Sequence, residues 1–107
     1  MLGKRVKVIV DRPMGSAHPE YPDLIYPVNY GFIEGMLAPD KEEQDAYILG
    51  VNTPLSSFEG AVIAVIHRKN DVEDKLVVAP DGVHFCKEEI RRLTDFQEKY
   101  FDIEINT

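Results

Sequence analysis

Leu24-Ile25-Tyr26-Pro27-Val28-Asn29-Tyr30-Gly31-Phe32-Ile33 is dense in aromatic and β-branched side chains, the types that pack well on a pleated surface. Residues 24–33 therefore read as a strand. Pro27 marks a bend or an edge position, because proline has no N–H to give a ladder, and Gly31 marks a bulge or the close approach of another backbone. Ala38-Pro39-Asp40 then supplies a turn, an acidic run continues to Asp45, and residues 46–51 resume an apolar extended stretch. A dense group of carboxylates thus falls where one strand ends and the next begins.

Outward from that centre, Val6, Val8 and Val10 alternate with Arg5, Lys7 and Ile9, close to the period-two pattern of a half-buried strand. Pro13, Gly15, Ser16, Pro19 and Pro22 predict a long surface loop after it. Residues 61–67 and 76–79 predict two more strands, joined by a charged connection over 68–75. Between 87 and 100, Ile90, Leu93, Phe96 and Tyr100 recur at spacings of three and four, which predicts an amphipathic helix. Cys86 falls at its N-cap, with Glu89 as a capping-box partner. Short strands followed by one late helix predict a mainly β fold, a small closed antiparallel OB-like barrel with one C-terminal amphipathic helix, in a single domain over residues 1–107.

The formal net charge of −7 opposes nucleic-acid binding, which needs clustered Lys and Arg to displace condensed counterions. It also suggests that an anionic substrate needs metal ions to bring it in. With a single cysteine, Cys86, neither an intrachain disulfide nor a thiolate metal cage can form. No stretch approaches the run of about 18 apolar residues that a membrane span requires. The expectation is a cytoplasmic protein with no nucleic-acid or membrane partner.

Asp40, Glu42, Glu43 and Asp45 put four carboxylates into six residues. Their mutual repulsion calls for bound cations or for screening by water. Residues 40 and 42 share a face in extended geometry, and Asp45 joins them if the chain turns. Hard oxygen ligands suit Mg²⁺, Mn²⁺ or Ca²⁺; a solvated acidic turn is the commoner meaning of such a run. An EF-hand is excluded, because Asp45 and Val51 stand where that loop needs Gly and Glu. A second mixed cluster, Asp71, Glu73 and Asp74 beside Arg68, Lys69 and Lys75, suits either a metal-bound phosphate or an ordinary salt-bridged connection.

Tyr26-Pro27-Val28-Asn29-Tyr30-Gly31, followed by Asp40-Lys41-Glu42-Glu43-Gln44-Asp45, resembles the soluble family I inorganic pyrophosphatases. It meets that family's Tyr-Pro-x-Asn-Tyr-Gly strand motif in full and keeps acidic residues at the three ligand positions of its Asp-x-Asp-Pro-x-Asp motif. Glu73-Asp74-Lys75 resembles the family's acid-plus-lysine segment, and Phe96-Gln97-Glu98-Lys99-Tyr100 the helix that ends in its substrate-binding tyrosine. Glu42 replaces the family's water-activating aspartate, and Phe101 stands where a phosphate-binding lysine is usual. At the amino end, Lys7 and Arg12 compete for the role of phosphate-binding cation.

The resemblance implies a Mg²⁺-dependent hydrolase of pyrophosphate, with Mn²⁺ or Co²⁺ as alternative ions, in a homo-oligomer. Asp40, Glu42, Asp45, Asp71 and Glu73 would hold the ions, and Glu42 and Asp45 would act on the attacking water. Lys7 or Arg12, Lys75, Tyr30 and Tyr100 would bind the substrate, while Tyr26 reads as core. Two alternatives stay open: hydrolysis of another phosphoanhydride, such as a nucleotide or sugar diphosphate, and a degenerate barrel that binds a phosphate ligand without turnover.

Overall fold

The computed structural model describes residues 1–71 and 73–107. Its elements are β1 (Arg5–Arg12), β2 (Asn29–Leu37), β3 (Glu43–Ile48), β4 (Ser57–Arg68), β5 (Asp74–Ala79), α1 (Lys87–Glu98) and β6 (Ile103–Asn106). The strand order is β1-β2-β3-β5-β4, and a further β1–β4 pairing closes the ring. β4 is long enough to change neighbours: Ser57 to Ala61 pair with β1, and Val65 to Arg68 pair with β6 outside the ring. The mainly β barrel with one late helix is therefore the observed fold.

Several boundaries differ from expectation, each for a physical reason. The strand expected over 24–33 starts only at Asn29 and runs on to Leu37. Ahead of it the chain doubles back, with Tyr26 N–H donating to Ser16 O and Gly15 N–H to Tyr26 O, and Pro27 has no N–H with which to extend the β2 ladder. One ring pairing, β3 with β5, is parallel. The intervening β4 and its loops provide the long crossover that a parallel pair needs. β6 escaped prediction because its alternation of buried and exposed residues lasts only four residues, and the helix stops two residues short of Tyr100.

Two apolar clusters lie on opposite faces of the same strands. Val8, Ile33, Ala46, Ile48, Val62 and Val78 form one; Tyr26, Tyr30, Tyr47, Ile66, Val77 and Ile90 form the other, which α1 covers. At the end of β3 and just beyond it, consecutive residues serve different clusters, so 46–49 is buried throughout. Gly31 is obligatory in this packing, because a Cβ there would stand 1.9 Å from Ile9 O. At the other end of the chain, Cys86 N–H donates to Glu89 Oε1 at 3.1 Å, the expected capping box.

One irregularity serves the site directly. Opposite β2, the β1 register slips between Val10 and Arg12, a bulge that re-aims side chains. Asp11 and Arg12, at this bulge, line two different cavities.

Candidate functional site

The motif strand divides its labour. Asn29 is fully buried, accepts the N–H groups of Met14 (2.9 Å) and Leu55 (3.0 Å), and donates to Thr53 O at 2.9 Å. It thereby ties two loops to β2. Tyr26, read from the sequence as core, is buried, and its hydroxyl accepts from Arg12 Nη1 at 2.7 Å and donates to Gln97 Oε1 at 2.9 Å. Tyr30 turns toward β3 and donates to Asp45 Oδ2 at 2.9 Å. Burial, followed by the negative charge of Asp45, raises the Tyr30 pKa far above that of an ordinary phenol, so this donor keeps its proton at any physiological pH.

Two adjoining cavities meet at Asp45 and Lys75. The smaller, about 270 Å³, is lined by Asp40, Glu42, Asp45 and Glu73, together with Asp11. The β2–β3 turn shapes its rim: Asp40 Oδ1 accepts the Glu42 N–H at 3.0 Å, and Lys41 adopts a positive φ of 68°. Burial raises the Asp11 pKa, Arg12 opposing and Asp45 adding to the effect. The larger cavity, about 930 Å³, is lined by Arg12, Arg68, Lys75 and Lys99 with Tyr30 and Tyr100, and Glu20 and Asp23 also line it. A cavity with four cationic side chains against three acidic ones thus adjoins one lined mainly by carboxylates.

Lys75 stands at the junction. Its ammonium, almost wholly buried, donates to Asp45 Oδ2 at 2.6 Å and to Glu73 Oε2 at 2.8 Å. Those two carboxylates therefore already reach one common cation. Among the described residues no three His, Cys, Asp or Glu side chains converge closely enough to cage a metal ion. Mg²⁺ does not require a cage, since it keeps several waters and commonly binds through one or two carboxylates plus substrate phosphates. The all-oxygen donor set fits such an ion.

Of the sequence-predicted residues, Asp40, Glu42, Asp45 and Glu73 come together, and Arg12, Tyr30, Lys75 and Tyr100 line the adjoining cavity. Asp71 lines neither cavity, but it lies 3.8 Å from Arg68 Nη1, the atom that Glu73 approaches at 3.5 Å. Lys7 is outside both cavities, exposed, with Glu34 at 3.8 Å. Sequence reasoning missed Asp11, Lys99 and the buried pair Arg68–Glu98. A signal for the pair existed: Arg68 continues the inward row of Ala64 and Ile66 on β4, and an inward arginine demands a buried carboxylate.

The family model for inorganic pyrophosphatase matches residues 3–105. The chain belongs to the inorganic pyrophosphatase family. That family places it among the hydrolases. The inorganic pyrophosphatase of Gluconobacter oxydans (strain 621H) is 29% identical over 126 aligned positions, covering 97% of this chain and 71% of the relative. Two solved structures share the fold. The inorganic pyrophosphatase from Ehrlichia chaffeensis superposes with a TM-score of 0.73 at 18% identity, covering 99% of this chain and 87% of that one. The one from Neisseria gonorrhoeae gives 0.65 at 24% identity, covering 92% and 74%. No helix among the described residues is long and apolar enough to cross a membrane.

Proposed function

We propose that the chain hydrolyses inorganic pyrophosphate with Mg²⁺, and with Mn²⁺ or Co²⁺ as substitutes. The observation that carries this reading is the junction at Asp45 and Lys75, where a carboxylate-lined cavity opens into one lined by arginine, lysine and tyrosine. Asp45 and Glu73, with Asp40 and Glu42 beside them, would hold the ions. A divalent ion bound there supplies charge neutralisation of the diphosphate and acidifies a water.

The chain's own groups do the rest. Glu42 is exposed at the rim of the acidic cavity, where its carboxylate can orient the attacking water and accept its proton. The water oxygen bonds to one phosphorus, the bridging P–O bond breaks, and the leaving phosphate keeps the electron pair. Arg12 and Lys75 offset the phosphoryl charge, and Tyr100, exposed at the mouth, can donate to the departing group. Tyr30 commits its single hydroxyl proton to Asp45 in this arrangement, so it acts by fixing that carboxylate. Between the two amino-terminal candidates, the cavity lining favours Arg12 over Lys7.

The same proposal includes a cytoplasmic setting, a homo-oligomeric state and no nucleic-acid partner, the last supported by the net charge of −7. Purified protein incubated with pyrophosphate and Mg²⁺ should release two phosphates per substrate. No release with Mg²⁺, Mn²⁺ or Co²⁺ would overturn the reading, and light scattering reports the oligomeric state.

A further inference from the structure

Arg68 is a guanidinium in a row of apolar residues. It ends β4 on the inward face after Ala64 and Ile66, and it is buried. Its Nε donates to Glu98 Oε1 at 2.9 Å and its Nη2 to Glu98 Oε2 at 2.7 Å. Tyr47 O–H adds a third donor to Glu98 at 2.7 Å, and the Phe101 ring centroid lies 3.7 Å from Arg68 Cζ. Folding by itself does not require such a pair, because desolvation roughly cancels the attraction and well-packed apolar residues serve as well or better.

What the pair does is fix a direction. With Nε and Nη2 held by Glu98, the Nη1 edge is turned toward Glu73 at 3.5 Å and Asp71 at 3.8 Å. Both distances are long for a charge-assisted hydrogen bond, which closes to about 2.7–2.9 Å, so this edge has capacity for a stronger acceptor. Arg68 lines the same cavity as Arg12, Lys75 and Tyr30. The residue next to Glu98 anchors the other arginine, since Gln97 Oε1 accepts from the Tyr26 hydroxyl that in turn accepts from Arg12. The end of α1 therefore holds both guanidinium groups of the cavity.

We propose that Arg68 is a phosphate-binding residue of this cleft, its Nη1 edge taking a phosphoryl oxygen of the bound diphosphate, and that Glu98 is the positioning residue that aims it. The proposal rests on the diphosphate reading above. A planar fork gripped along one edge presents the other to a tetrahedral oxyanion, which an ammonium on a flexible stem does not do.

The test measures the affinity for methylenediphosphonate with Mg²⁺ by calorimetry, the KM and kcat for pyrophosphate, and the melting temperature. Arg68→Lys should raise Kd and KM about tenfold or more, with a smaller change in kcat. The double variant Arg68→Met with Glu98→Leu removes both charges without orphaning either and should show the same loss while remaining folded. Glu98→Gln, with Arg68 still present, should raise KM as well, because the aim is lost. A folded double variant that binds the diphosphonate as wild type does overturns the proposal; if that variant fails to fold, wild-type Kd in Arg68→Lys does so instead. Wild-type protein that binds the diphosphonate without hydrolysing pyrophosphate overturns only the hydrolysis reading, and the Kd comparison still decides the role of Arg68. Wild-type protein that does not bind it overturns both.

Discussion

Replacing Asp45 with Asn tests the junction at almost constant shape. The change removes one negative charge from a side chain that lines both cavities and accepts from Lys75 at 2.6 Å and Tyr30 at 2.9 Å. Lys75 keeps Glu73 at 2.8 Å, so its buried ammonium is not orphaned, and the Tyr30 hydroxyl can still donate to the amide oxygen. The structural loss is one charge-assisted contact to a partly exposed carboxylate, about 1–2 kcal/mol after solvent screening. For a chain of this size that lowers the melting temperature by roughly 5–15 °C. Loss of a group aimed at developing charge costs more, about 100- to 1000-fold in kcat, or about 2.7–4 kcal/mol. Steady-state phosphate release at a temperature where both proteins are folded separates the two effects. A variant within about tenfold of wild type, or one whose activity loss follows its unfolded fraction, would refute the role given to Asp45.

Three further outcomes follow from particular contacts. Gly31→Ala should destabilise the fold by about 3 kcal/mol or more, read by urea melts, because its Cβ would meet Ile9 O at 1.9 Å; an unchanged midpoint would contradict the packing. Glu42→Gln should shift stability by no more than about 0.5 kcal/mol at this exposed position yet lower turnover at least about tenfold, so equal loss of both would remove Glu42 from the chemistry. Burial, with Asp45 adding for Tyr30 and Glu98 for Tyr47, raises both phenol pKa values. The folded state therefore retains protons that the unfolded chain loses above about pH 10. The stability these two groups contribute is whole below that pH and should fall above it by about 1.4 kcal/mol per pH unit for each. Urea melts between pH 9 and 11 that show no such decline, or a 295 nm titration of the folded protein from which Tyr30→Phe removes a tyrosinate signal below about pH 11, would contradict it.

Much of the fold was legible because its signals are local. Alternation at Val6, Val8 and Val10, a three-and-four spacing at Ile90 and Leu93, and a forced glycine at position 31 each declare an element within a few residues. Less legible was whatever depended on pairing: the parallel contact of β3 with β5, the bulge between Val10 and Arg12 and the four-residue β6 are set by partners distant in sequence. The site divides the same way. Asp40, Glu42 and Asp45 announce themselves by density, whereas Arg68 and Glu98 lie 30 positions apart and meet only because α1 packs over the end of β4.

Net charge is the one sequence feature that points in two directions. A net charge of −7 opposes a polyanion, and on that number alone an anionic substrate needs metal ions to bring it in. The structure distributes the charges unevenly: Asp11, Asp40, Glu42 and Glu73 line one cavity, Arg12, Arg68 and Lys99 line the other along with Glu20 and Asp23, and Asp45 and Lys75 are common to both. Over the few ångströms of a diphosphate, well inside the screening length of about 8 Å at physiological salt, those local cations matter more than the distant excess of acid. A nucleic acid samples a much longer path and would need a continuous basic strip along it. On the proposed reading, the same chain would disfavour a long ribbon of phosphates and still accept two of them.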